Sequence, residues 1–88
     1  MKREDVLQKA MKAVSYDREV EYGSPKSSFE IIANFWSDYL MVEITPQDVP
    51  VMMALLKLAR TSRGEYHADN YIDIAGYAAL AAEVAEND

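Results

Sequence analysis

The sequence predicts an all-α fold: a compact bundle of about four helices in a single domain, residues 1–88, assembling as a homo-oligomer. Three observations predict it. Apolar residues recur at helical spacing through four successive segments. Half the residues are hydrophobic, yet only three are Gly and three Pro, too few turn formers for a β-barrel and the wrong composition for collagen or low-complexity disorder. Finally, a domain of this length buries only about 60–65% of its unfolded surface. This one carries six Tyr, two Phe, one Trp and five Met, more apolar surface than four short helices hide, and that surplus leads to the expected homo-oligomer.

The first helix is predicted from about Arg3 to Asp17. Val6, Leu7, Ala10, Met11 and Val14 share one face, and Glu4, Asp5, Gln8, Lys9 and Lys12 cover the other. A loop over Arg18–Lys26 ends it, with Gly23 free to take positive φ and Pro25 restricting Ser24. Ser27 and Glu30 then stand three apart as a capping box, and the second helix runs to Leu40 or Met41. Phe29, Ile31, Ile32, Phe35, Trp36, Tyr39 and Leu40 leave it only a narrow polar stripe, so its apolar face needs two contact partners. Thr45-Pro46-Gln47-Asp48 is another start signal: Thr45 caps, Pro46 takes the first helical position, and Asp48 faces the positive helix end. The third helix runs to about Arg63, with Gly64 after it. Its apolar residues spread round nearly the whole wheel, which predicts a central, buried helix. The fourth runs from about Asp69 to Glu86. Its small residues Ala75, Gly76, Ala78, Ala79 and Ala82 allow another helix to approach closely.

Composition excludes several function classes. The 15 acidic residues outnumber the 9 Lys and Arg, a formal charge of −6, which argues against DNA or RNA as a partner. Without cysteine there is no disulfide framework, thiol nucleophile or thiolate metal site, and a reducing cytoplasm is the natural setting. No apolar run approaches the roughly 18–20 residues that span a bilayer. Met1-Lys2-Arg3-Glu4-Asp5 leads into an amphipathic segment, not the apolar core of a signal peptide.

The cations are unevenly placed. None occurs from Ser27 to Leu56; then Lys57, Arg60 and Arg63 arrive within seven residues, inside the most apolar helix. A cation there must be paired, must snorkel, or must face a ligand. Asp69 and Asp73, one turn apart on the next helix, are the expected partners. One reading is an inter-helix salt-bridge network that fixes register. The other is a polar pocket, with Lys57, Arg60 and Arg18 on phosphate and Asp69, Asn70 and Asp73 ordering the site. In that pocket Asp69 and Asp73 are the candidate ligands of a Mg²⁺ ion, with Glu30 and Asp38 available to complete the set. Asp69 also reads as a plain N-cap. Tyr22, close to Arg18, can stack on a base or pack as a lid on the bundle. Trp36 and Tyr39 read as core or interface, and His67 as structural or solvated.

Taken together, Arg18…Tyr22-Gly23, Phe29…Ile32-Ala33…Trp36-Ser37, Ile44-Thr45…Asp48-Val49, Met52-Met53…Leu56-Lys57…Ala59-Arg60 and Asp69-Asn70…Asp73…Gly76-Tyr77 resemble a family of small phage and prophage proteins known only as a domain of unknown function. The resemblance covers nearly the whole chain. It implies an all-α fold and the cytoplasm of an infected or lysogenic bacterium, and no established activity. The Lys57…Arg60…Asp69…Asp73 section is more faintly similar to the MazG-type all-α nucleotide pyrophosphohydrolases. Their Glu-Glu-x-x-Glu metal motif is missing here, since no two glutamates are adjacent.

These readings lead to three expectations. The first is a homo-oligomer that binds and sequesters a phosphorylated small molecule, a nucleotide or a nucleotide-derived host defence signal, without turnover. The second is a helical module acting on a host protein. The third is a degenerate Mg²⁺-dependent pyrophosphohydrolase.

Overall fold

A serine hydroxyl competes with the backbone for hydrogen bonds, and at Ser15 the first helix ends. The computed structural model describes residues 1–87, apart from the side chains of residues 16, 17 and 87; residue 88 of the expected domain lies outside them. The Ser15 hydroxyl donates to the Met11 carbonyl, and Ser15 leaves the helical region at φ −87°, ψ −133°. α1 (Arg3–Val14) therefore stops short of Asp17. A separate short helix, α2 (Tyr16–Tyr22), fills most of the expected loop. Gly23 ends α2 at φ 79°, its N–H donating to the Glu19 carbonyl at 2.9 Å.

α3 (Pro25–Leu40) starts before the predicted capping box at Ser27 and Glu30. The N-cap is Ser24, whose Oγ accepts from the Ser27 N–H at 3.2 Å. Pro25 is a helix start here, not a stop. Its ring presets a helical φ at the first position and holds Ser24 extended at ψ 147°. Met41, left-handed at φ 56°, closes the helix. Ser37 Oγ then accepts from the Ile44 N–H at 2.8 Å and donates to the Ile44 carbonyl at 3.2 Å, folding the connection back onto α3.

The Thr45 start signal forms in part: its reciprocal bonds are made, but the helix begins at Asp48 with Gln47 as its N-cap, so Pro46 lies in the turn ahead of it and not at the first helical position. Thr45 N–H donates to Asp48 Oδ2 at 2.9 Å, and Asp48 N–H donates to Thr45 Oγ1 at 3.2 Å. α4 (Asp48–Thr61) follows, ending two residues early, with Gly64 left-handed at φ 76° beyond it. α5 (Ala68–Asn87) begins one residue before Asp69, which is therefore not the cap but a first-turn acid. Among the described residues there are five helices and no strand. None of these helices is long and apolar enough to cross a membrane.

α5 is the element round which three of the others pack: α4 and α1 lie along it, and α3 touches both α4 and α5, while α2 rests on α1 and α3. The core joins Phe29 and Ala33 of α3, Val49 of α4, and Leu80 and Val84 of α5, with Val14, Trp36, Met53 and Tyr77 packed against it. The small residues of α5 do admit a close neighbour, and it is α1. A Cβ placed on Gly76 would meet Val14 Cγ1 at 3.0 Å. The expected burial of the third predicted helix is not observed. α4 buries Val49 and Pro50, but Val51, Leu55, Leu56 and Leu58 are exposed. Apolar residues all round a helix predict two covered sides, and this chain covers one. The deeply buried Phe29 is the largest core side chain, so Phe29→Ala is expected to lower unfolding stability by about 3–5 kcal/mol in urea titrations followed by circular dichroism.

Candidate functional site

The short α2 exists because Ser15 turns the chain, and its position brings Arg18 over the core. The guanidinium carbon lies 5.2 Å from the Tyr22 ring centroid and 5.2 Å from that of Phe29. Aromatic faces attract a cation without offering it a hydrogen-bond acceptor. Accordingly Arg18 Nε is buried and has no hydrogen-bond partner among the described residues, an omission that costs about 1–3 kcal/mol for an ordinary buried donor.

Arg18 lines a cleft of about 170 Å³. Ala13 and Val14 of α1 form one wall; Ile72, Asp73, Gly76, Tyr77 and Leu80 of α5 form the other. Asp73 Oδ2 accepts from Lys57 Nζ of α4 at 2.9 Å, the ion pair that joins α4 to α5 among the described residues. The Lys57 side chain is 17% exposed and that of Asp73 38%. Lys57 is thus the embedded cation that pairs, and Arg18 the one that is left facing a cleft.

The predicted site residues separate into two groups. Arg18 and Asp73 line one cleft, Lys57 reaches it through Asp73, and Tyr22 through Arg18. Arg60 and Asp69 are exposed, Asn70 is half-buried, and none of the three lines the cleft. Asp69 and Asp73 remain one turn apart, yet no group of three His, Cys, Asp or Glu side chains suited to a metal ion forms among the described residues. His67 is exposed, and its carbonyl accepts from the Asn70 N–H at 3.2 Å at the start of α5. Sequence reasoning missed Tyr77, which continues the apolar repeat of α5. Its phenol, a polar tip on an otherwise aliphatic and alanine face, was the available signal. A second, more apolar groove lies between Val6 and Leu7 of α1 and the stacked Tyr66 and Tyr71 rings, whose centroids are 5.8 Å apart.

The chain belongs to the family of the domain of unknown function DUF6378, which matches residues 5–85. It is similar to the Gene 55 protein of Mycobacterium phage L5, 45% identical over 76 residues, which are 85% of this chain and 49% of the phage protein. The Gene 55 protein of Mycobacterium phage D29 is 37% identical over 83 residues, 94% of this chain and 55% of that protein. The chain thus spans about half the length of the curated relatives it matches. No solved structure matches it.

The half-exposed geometry of the ion pair decides its expected contribution. Because water reaches Asp73, Lys57→Met is expected to shift stability by less than about 1 kcal/mol in thermal unfolding. A loss above about 2 kcal/mol would instead identify the pair as the device that holds the register of α4 on α5.

Proposed function

We propose that this member of a phage-protein family binds a phosphorylated small molecule of the nucleotide class and retains it without turnover, with Arg18 as the anchor. The observation that carries this reading is Arg18 itself, which lines an open cleft while its buried Nε has no hydrogen-bond partner among the described residues. A guanidinium presents donors in a planar fork that matches phosphate oxygens, so a phosphoryl group supplies the acceptors that Tyr22 and Phe29 do not. The cleft of about 170 Å³ has room for a phosphoryl group and not for a whole nucleotide. The nucleoside therefore lies outside it, where the exposed Tyr22 offers an aromatic surface for a base.

In this reading Lys57 takes a supporting part. Asp73 on the cleft wall would repel an anion, and the ammonium 2.9 Å away offsets its charge. Retention is favoured over hydrolysis because Asp73 is the one carboxylate on the cleft wall among the described residues, and it is already engaged by Lys57. A phage protein of this kind would act on its host by removing the molecule it holds, as for a nucleotide defence signal.

The test is a binding experiment with Mg²⁺ and a pool of linear and cyclic nucleotides, followed by mass spectrometry of the free fraction and of what heating releases. The expected result is one nucleotide depleted from solution and recovered intact. Arg18→Met keeps the apolar stem against Phe29 and is expected to weaken retention at least about tenfold with the helical circular dichroism unchanged. An unchanged pool overturns the binding, and a converted nucleotide overturns retention without turnover.

A further inference from the structure

Every long helix of this chain has one face on the core, and α3 and α4 each have a second apolar face that no described residue covers. On α3, Ile31, Phe35 and Tyr39 follow one another at spacings of four, with Phe35 71% and Tyr39 87% exposed. On α4, Val51, Leu55 and Leu58 form the matching stripe, with Leu55 59% exposed. Scattered exposed hydrophobics are ordinary; aligned ones on adjacent helices are not.

The area gives the scale. The accessible surface is 6445 Å². A folded monomer of 10.0 kDa is expected to expose about 5,200 Å², so the excess is about 1,200 Å². A stable interface takes about 800 Å² from each partner. The radius of gyration, 13.7 Å, likewise exceeds the about 12 Å expected for a self-contained domain of this length.

Charge says what kind of surface covers the face. Residues 49–56 carry no charge over more than two helical turns. Two like surfaces can meet there without juxtaposing like charges on α4, which self-association through a shared patch requires.

We propose that a second copy of this chain covers the outer stripes of α3 and α4, Ile31, Phe35 and Tyr39 with Val51, Leu55 and Leu58. The proposal is independent of the cleft at Arg18, none of whose lining residues belongs to these stripes.

Light scattering on the eluting protein tests it first. The expected mass is about 20 kDa or a higher multiple of the 10.0 kDa chain. Phe35→Glu and Leu55→Glu are each expected to yield monomer. A 10.0 kDa mass for the unaltered chain at micromolar concentration overturns the proposal and leaves the stripes open to a different protein. An oligomer that survives both substitutions overturns this choice of face. If the charged variants fail to fold, the absence of native cysteine allows a milder probe. Phe35→Cys and Leu55→Cys are expected to react with a maleimide far more slowly than Lys9→Cys, and to lose that protection on dilution. Equal reactivity at all three positions overturns the proposal.

Discussion

The contact between Gly76 and Val14 is the constraint from which the cleft follows. With 3.0 Å between Val14 Cγ1 and the place a Cβ would take, α1 lies on α5 as closely as side chains allow. That approach sets Ala13 and Val14 opposite Asp73 and Tyr77. It also fixes where Ser15 must turn the chain, since the helix ends at Val14, the residue before it. Arg18 follows within one turn of α2, and Phe29, already in the core, becomes the surface on which its guanidinium rests. Close packing of helix on helix thereby positions a polar group that no ladder of polar contacts leads to.

Two cations enter largely apolar surroundings and meet different fates. Lys57 finds a carboxylate, and water still reaches that carboxylate, so the pair is expected to cost little desolvation and to contribute little stability. Arg18 finds two aromatic faces. These satisfy its charge and leave the directional demand of Nε unmet. The first arrangement is complete within the chain, whereas the second leaves a donor without an acceptor among the described residues. This difference, and not the count of cations near one another, is why the proposed function takes Arg18 and not Arg60 as the anchor.

Much of the fold was legible because capping and periodicity are local. Thr45 and Asp48 form the reciprocal bonds their spacing implies, and the apolar repeat of α5 places its ends within a residue. Pro25 misled because the same ring that stops one helix starts another; only the course of the chain after Gly23 decides which. The Lys57–Asp73 pair was legible because one cation in an apolar helix must find an acid on its neighbour. Arg60 and Asp69 were drawn into the same site by spacing along their helices, although rotation about each helix axis turns them to solvent. The Arg18 stack was not legible, since it depends on a helix boundary at Ser15 that a lone serine does not announce.

The exposed side of α4 shows what helical periodicity measures. A helix apolar all round reports the number of surfaces that must cover it, not the chain those surfaces come from. In this protein α5 supplies one, and Val51, Leu55 and Leu58 face away from it. The same holds for α3, whose Phe29 and Ala33 are buried while Phe35 and Tyr39 stand clear. The other three described helices are too few to enclose both α3 and α4 on two sides. Enlarging the core by further helices and pairing it with a second copy are equivalent solutions of that shortage. The proposed pairing asks for a face free of like charge along α4, which the uncharged residues 49–56 provide.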